Sequence, residues 1–89
     1  MENIEDTLKE RGKTHGNYET QAILGQRIKR AMRNGKNWFG LHDDQIDALE
    51  MITVKVSRIL TGNPNELDHL LDIVGYATLV ANRLKGDSK

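Results

Sequence analysis

The sequence contains no cysteine, which excludes disulfide bonds and metal sites built from thiolates. This absence also removes any reason to expect an oxidising compartment. No apolar run approaches the roughly 18 residues that a transmembrane helix requires. The N-terminal segment is charged from its second residue and lacks the apolar stretch of a signal peptide. We therefore expect a soluble, cytoplasmic protein with no membrane partner.

The chain also lacks net charge, because 13 lysine and arginine residues balance 13 aspartate and glutamate residues. Binding to a nucleic-acid backbone normally needs a basic surface, so we do not expect nucleic acid as a partner. One local exception is the basic cluster between Arg27 and Arg33, which lies inside a helical pattern. We interpret it as a solvated helix face near a helix C-terminus, where cations interact favourably with the helix dipole.

No strand pattern, internal repeat or long linker is recognisable, so the 89 residues are predicted to form a single all-α domain over residues 1–89. A domain of this size buries only about 60% of its unfolded surface and often needs a partner. Short breakers such as Asn34-Gly35 and Asn63-Pro64 separate the apolar periodic segments. They predict four helices. The first runs from about Ile4 to Arg11, and the second runs from Tyr18 to about Arg33. The third begins after His42 or Asp43 and ends at Thr61-Gly62, and the fourth follows the helix-initiating pair Asn63-Pro64 and runs to about Lys85.

The last two predicted helices form an antiparallel hairpin, because only a few residues around TGNPN connect them. Aligning the helices outward from this turn places Arg58 level with Asp68, and Lys55 near Asp72 or one turn from it. Helical periodicity gives each helix one broad apolar arc that is expected to face the core. The predicted core residues are Ile46, Leu49, Ile52, Val56, Ile59 and Leu60, followed by Leu70, Ile73, Val74, Ala77, Val80, Ala81 and Leu84.

A second face of the hairpin mixes charged and apolar residues. Val54 and Met51 lie among the charges of the third predicted helix, and Leu71 and Leu79 lie among those of the fourth. A face that is fully solvated does not normally carry such apolar residues. We therefore expect a homodimer or a higher homo-oligomer that covers this face and completes the helical bundle.

The charges of this second face have two possible roles. Asp47, Glu50, Asp68 and Asp72 could hold Mg²⁺, which prefers carboxylate oxygens and substrate phosphates, while Lys55 and Arg58 bind phosphate oxygens. Alternatively, Arg58 with Asp68 and Lys55 with Asp72 are ion pairs of a structural or interaction module.

Three motifs resemble a known family. They are Arg11-Gly-x-x-His15-Gly16, the pattern A-L-E-M-I-x-x-K-x-x-R-I over residues 48–59, and D-x-x-x-D-I-x-G-Y-A over residues 68–77. Together they resemble small, mostly phage-encoded proteins similar to the nucleotide-modification-associated domain. More distantly, the chain resembles the all-α nucleoside triphosphate pyrophosphohydrolases of the MazG type.

This resemblance implies binding of a phosphorylated nucleotide in a MazG-like bundle. MazG-type enzymes hold magnesium with E-x-x-E on one helix and E-x-x-D on the next. Here Asp47-x-x-Glu50 matches the first pair with one conservative change, and Asp68-x-x-x-Asp72 is one residue longer than the second pair. The resemblance thus implies a Mg²⁺-dependent pyrophosphohydrolase or, alternatively, a non-catalytic nucleotide sponge that counters a host antiphage defence.

The predicted nucleotide site also includes residues outside the charged helix faces. The His15-Gly16 turn precedes a helix N-terminus, where free N–H groups can bind an anion, and Arg11 supports this role. For Trp38 and Phe39 two roles are open, because they can stack on a base or close the core beneath a loop. The predicted nucleotide-binding residues are Arg11, His15, Gly16, Lys55, Arg58, Asp68, Asp72 and Tyr76.

Overall fold

The computed structural model of the protein describes Ile4 and residues 17–86, and in these residues it is all-helical. The prediction of an all-α fold is therefore confirmed. The described part contains three α-helices rather than four, because the predicted first helix lies outside it apart from the exposed Ile4. The elements are α1 (Tyr18–Met32), a short 3-10 helix (Trp38–Gly40), α2 (Asp43–Thr61) and α3 (Leu67–Lys85). None of the described helices is long and apolar enough to cross a membrane.

The helix boundaries follow local capping interactions. Asn17 begins α1, where its side-chain Oδ1 accepts a hydrogen bond of 3.1 Å from the Thr20 N–H. His42 precedes α2, and its N–H donates to Gln45 Oε1 at 2.8 Å. At the end of α3, Gly86 adopts a left-handed conformation with φ 86°, which glycine enters without steric cost. The starts of α1 and α2 and the end of α3 therefore agree with the predicted helix limits.

The start of α3 differs from the prediction, because Asn63-Pro64 does not initiate the helix. The Asn63 side chain instead accepts a hydrogen bond of 3.0 Å from the Asn65 N–H, and the Asn63 carbonyl accepts one of 3.3 Å from the Glu66 N–H. Pro64 is thus the second residue of a turn, a position that its fixed φ favours. The helix begins only at Leu67.

Helix α2 packs against both α1 and α3, and its contact with α1 is made by small residues. A Cβ atom at Gly25 would lie 3.5 Å from Ser57 Oγ, and Thr53 Oγ1 lies 3.1 Å from Met32 Sδ. Both hydroxyls are satisfied within α2, since Thr53 donates to the Leu49 carbonyl at 2.8 Å and Ser57 to the Val54 carbonyl at 2.7 Å. The two helices can therefore approach closely without leaving these donors unpaired.

The predicted core arcs are only partly buried, because their residues are half-buried or exposed and none is fully buried. Leu49, Leu60, Leu70, Val74 and Leu84 are exposed, and the fully buried residues of the described part are small or polar rather than large and apolar. The physical reason is the layered arrangement, in which α1 and α3 contact α2 and leave part of its broad apolar arc uncovered. Among the described residues, the buried ones are Gln21, Gly25, Ala48, Thr53, Ser57 and His69.

The first prediction concerns the close contact of α1 with α2. Gly25→Ala is expected to raise the free energy of unfolding by up to about 1 kcal/mol, because alanine favours a helix and only makes ordinary contact with Ser57. Gly25→Leu is expected to lower it by about 1–3 kcal/mol, since the added volume overpacks the contact. Urea unfolding followed by circular dichroism measures both changes. The exposed neighbour provides the control, as Gln26→Leu should change stability by less than about 0.5 kcal/mol; equal stability of Gly25→Leu and wild type would contradict the close contact.

Candidate functional site

Two ion pairs fix the register of the α2–α3 hairpin. Lys55 Nζ lies 2.9 Å from Asp72 Oδ2, and the Arg83 guanidinium donates a hydrogen bond to Asp44 Oδ2. The spacing from Asp44 to Lys55 along α2 equals the spacing from Asp72 to Arg83 along α3. The helices are therefore antiparallel and in step over most of their length, and the predicted alignment of Lys55 with Asp72 is confirmed.

One side of this hairpin, here called the charged face, carries a cleft of about 260 Å³. Asp47 and Tyr76, two of the predicted site residues, both line it. Asp44 and Arg83 line it as well, although the sequence analysis assigned neither to the site. The sequence could have indicated this pair, because in an antiparallel hairpin an acidic residue in the first turn of α2 lies level with a basic residue in the last turn of α3. The remaining lining residues are Ala48, Leu79 and Val80.

The Asp44–Arg83 pair determines the electrostatics at this end of the hairpin. The hydrogen bond from Arg83 holds the pKa of the Asp44 carboxyl below its ordinary value of 3.8, and the positive charge of Arg83 acts in the same direction. Asp44 is thus ionised at neutral pH. Arg83 Nη2 is nevertheless buried without a hydrogen-bond acceptor among the described residues.

Lys55 and Asp72 form the ion pair that the structural interpretation predicted. The Lys55 side chain is only 12% exposed, whereas that of Asp72 is 47% exposed. Among the described residues, Asp72 therefore supplies the counter-charge for a largely buried ammonium group.

Arg58 does not pair with Asp68, so this predicted ion pair is wrong. In the register fixed by Lys55 and Asp72, the residue level with Arg58 is His69, which is buried, with an exposed fraction of 1%. Asp68 precedes it by one residue and is rotated by about 100° around the helix axis, where it is exposed. Arg58 Nε is buried and has no hydrogen-bond acceptor in the described part of the chain.

The four carboxylates predicted to hold metal do not gather in this structure. Asp47 precedes Lys55 by two helical turns, and Lys55 is level with Asp72, so Asp47 and Asp72 lie about 12 Å apart along the helix axes. Within the described residues, no group of three or more His, Asp or Glu side chains is placed to hold a metal ion. In a single chain, Asp47, Glu50, Asp68 and Asp72 therefore do not form one ligand set for Mg²⁺.

The remaining predicted site residues are distributed differently. Arg11, His15 and Gly16 lie outside the described residues. Trp38 is half-buried and lines an apolar groove of about 330 Å³ together with Met32, Leu49 and Ile52. Phe39 is 91% exposed. Trp38 thus has the role of covering apolar residues, whereas Phe39 does not close a core in this chain.

No family model, curated protein sequence or solved structure matches the chain. The resemblance to the nucleotide-modification-associated domain and to MazG-type enzymes therefore stays a prediction. The function has to be argued from the geometry of the hairpin itself.

The second prediction tests whether the Lys55–Asp72 pair stabilises the fold. Asp72→Asn is expected to lower the free energy of unfolding by about 1–3 kcal/mol, because it leaves a largely buried ammonium group without its counter-charge. Thermal and urea unfolding measure this loss. Asp47→Asn is the matched control, since Asp47 is exposed on the same face and its replacement should cost less than about 0.5 kcal/mol. If both variants are as stable as the wild type, Asp72 has no structural role and is available to a ligand.

Proposed function

We propose that the chain binds a phosphorylated nucleotide along the charged face of the α2–α3 hairpin, and that it does so as a homo-oligomer. The observation that carries this proposal is Arg58, whose Nε is buried and lacks an acceptor among the described residues. A buried donor on a charged group that has lost water and gained no partner is costly. The guanidinium fork matches phosphate oxygens, as it matches carboxylates, and a phosphate of a ligand can therefore serve as the acceptor.

The cleft at the other end of the charged face suits the nucleoside. The Tyr76 ring offers a surface for stacking, and the Asp47 carboxylate can accept hydrogen bonds from ribose hydroxyls. Arg83 lines the same cleft, and its charge favours an anionic group of the ligand there. Arg58 is level with His69, and Tyr76 follows His69 along α3 by about two helical turns, which corresponds to about 10 Å. Phosphates can therefore extend from the cleft towards Arg58.

Lys55 and Asp72 lie between these two ends. Because Lys55 is already neutralised by Asp72, we assign the main phosphate contact to Arg58 and a secondary one to Lys55. Asp68 and Asp72 border the path as acceptors for donor groups of the ligand. The alternative is that the charged face has a purely structural role, which the two ion pairs favour. Arg58 belongs to neither ion pair, so its role distinguishes ligand binding from a purely structural face.

Binding without hydrolysis is the form of the proposal that the carboxylates favour. A MazG-like hydrolase would need carboxylates of both helices near one Mg²⁺ ion, and Asp47 and Asp72 are too far apart along the hairpin of one chain. A nucleotide-binding protein without catalysis could act as a sponge for a nucleotide signal, the role that the resemblance to phage-encoded proteins suggests.

The third prediction tests Arg58 as the phosphate contact. A thermal-shift screen with ATP, ADP-ribose and a cyclic dinucleotide, each with and without Mg²⁺, first selects the ligand that stabilises most. Arg58→Ala should then weaken binding of that ligand at least about tenfold in calorimetric titration, because a hydrogen bond to a charged group contributes about 1.5–3 kcal/mol. Arg58→Lys should recover only part of the affinity, since lysine lacks the bidentate fork.

The exposed Lys85, which lies outside the cleft, gives the control, and Lys85→Ala should bind as the wild type does. Stabilisation by ATP only in the presence of Mg²⁺ would favour the hydrolase over the sponge. A screen without any stabilising nucleotide, or unchanged affinity in Arg58→Ala, would leave the charged face with a structural role alone.

The oligomer is inferred from the surface of α3. This helix exposes large apolar side chains on several sides, including Leu71 at 54%, Val74 at 60% and Leu79 at 66%. A helix that is apolar nearly all round is normally buried, and a single chain buries only His69 fully on α3. Leu79 also lines the cleft, so we infer that a second copy covers α3 and closes one side of the nucleotide site.

The fourth prediction tests this assembly. Wild-type protein at micromolar concentration should have the mass of a dimer or a larger species in sedimentation analysis. Leu79→Glu should yield the monomer, because a carboxylate cannot be buried in an apolar contact without a large cost. Ile23→Glu is the control, as Ile23 is exposed on α1 and its replacement should leave the assembly intact. A wild type that remains monomeric would refute the proposed interface.

A further inference from the structure

A second surface of the protein carries a concentration of positive charge that the zero net charge of the chain conceals. Residues 20–42 contain five lysine or arginine residues and no aspartate or glutamate. In the rest of the chain the acidic residues are therefore in excess. This asymmetry places a basic segment on α1 and on the loop that follows it. The five residues are Arg27, Lys29, Arg30, Arg33 and Lys36.

The arginines of this segment share the outer face of α1. Arg27, Arg30 and Arg33 follow one another at intervals of three residues and are all exposed, whereas Gly25 and Met32 contact α2. None of the five cations forms an ion pair with a carboxylate of the described residues. Their charges are therefore available to an external anion.

The dipole at the C-terminus of α1 explains only part of this concentration of positive charge. Lys29 and Arg30 lie in the last turn of α1, where they interact favourably with the dipole. Arg27 lies before that turn, and Lys36 lies beyond the helix. The dipole also does not account for the aromatic side chain that follows.

Phe39 belongs to the 3-10 helix that follows this basic segment in the chain and is 91% exposed. Backbone hydrogen bonds fix the loop that carries it, since the Trp38 N–H donates to the Gly35 carbonyl at 3.1 Å and the Gly40 N–H donates to the Asn37 carbonyl at 2.9 Å. Trp38 of the same turn is half-buried and lines the groove with Met32 and Ile52. A phenyl ring held in solvent by an ordered turn resembles a stacking platform rather than a displaced core residue.

We propose that Arg27, Arg30, Arg33, Lys36 and Phe39, here called the basic surface, bind single-stranded nucleic acid. The cations contact backbone phosphates, and an unpaired base stacks on Phe39. Proteins that bind single strands without sequence preference combine these two features. A duplex would offer the phosphates but not the free face of a base. The basic surface uses none of the residues assigned to the nucleotide site, so either proposal can fail without the other.

The fifth prediction is tested by fluorescence anisotropy with labelled oligo-dT and oligo-U of about 15 nucleotides, a length within the range of such sites. A duplex of equal length is the comparison. Wild-type protein should bind either single strand more tightly than the duplex. Raising the salt from about 50 to 200 mM should weaken this binding roughly 20-fold, as expected for about three phosphate contacts. A preference for oligo-U or oligo-dT identifies the sugar that the surface accepts, and either preference supports the proposal.

Variants separate the two features of the basic surface. The triple variant Arg27→Gln/Arg30→Gln/Arg33→Gln should weaken binding at least tenfold and flatten the salt dependence. Phe39→Leu should weaken single-strand binding about fivefold or more, whereas Phe39→Trp should retain it, because only an aromatic ring stacks on a base. Lys85→Gln is the matched control for an exposed cation that is not part of the basic surface. Circular dichroism confirms that each variant keeps its helix content.

Three outcomes would overturn the proposal. The first is no binding of either single strand at the lower salt concentration. The second is equal binding of duplex and single strand together with unchanged affinity in Phe39→Leu, which would show a purely electrostatic surface. The third is affinity that survives the triple arginine substitution.

Discussion

The register of the α2–α3 hairpin is the constraint on which the rest of the structure depends. A short turn built around Asn63 joins the two helices, and ion pairs at Lys55–Asp72 and Asp44–Arg83 hold them in step. This register brings Asp47, Tyr76 and Arg83 to one cleft. It also places Arg58 level with the buried His69 rather than with a carboxylate, so a buried cation is left with a donor that the described residues do not satisfy.

The interior of the single chain is unusual in its chemistry. Its fully buried positions are small or polar, and the hydroxyls of Thr53 and Ser57 are satisfied by carbonyls of their own helix. Such positions permit close helix approach but remove little apolar area from water, which is the main source of folding free energy. Several large apolar residues of α2 and α3 are instead exposed. Leu79 belongs both to this exposed apolar surface and to the cleft, so covering the surface would also close one side of the proposed nucleotide site.

The two proposed anion-binding surfaces differ in how their charges are held. On the charged face, cations lie between carboxylates, and Lys55 and Arg83 are each restrained by one of them. Such a site is selective, because a ligand must offer both acceptors and donors at matching positions. On the basic surface, the arginines of α1 have no carboxylate partner in the described chain, and Phe39 lies in solvent. That surface suits a flexible polyanion, for which charge and stacking matter more than a fixed arrangement of donors.

The sequence by itself determined the all-α class, the ends of α1 and α2 and the hairpin, and it offered the pairing of Lys55 with Asp72 as one of two roles for these residues. These features depend on local interactions, such as helix caps, breakers and a short connection, which a sequence displays directly. Only the tertiary structure decided which side of each helix is buried, because the apolar arc of α2 is wide enough to allow several packings and the small residues Gly25 and Ser57 selected one of them. The same packing left Phe39 outside and Arg58 without an acceptor. Both depend on the direction in which a side chain faces, which changes by about 100° from one helical residue to the next. Only the positions of α1 and α3 around α2 decide which of these directions are buried.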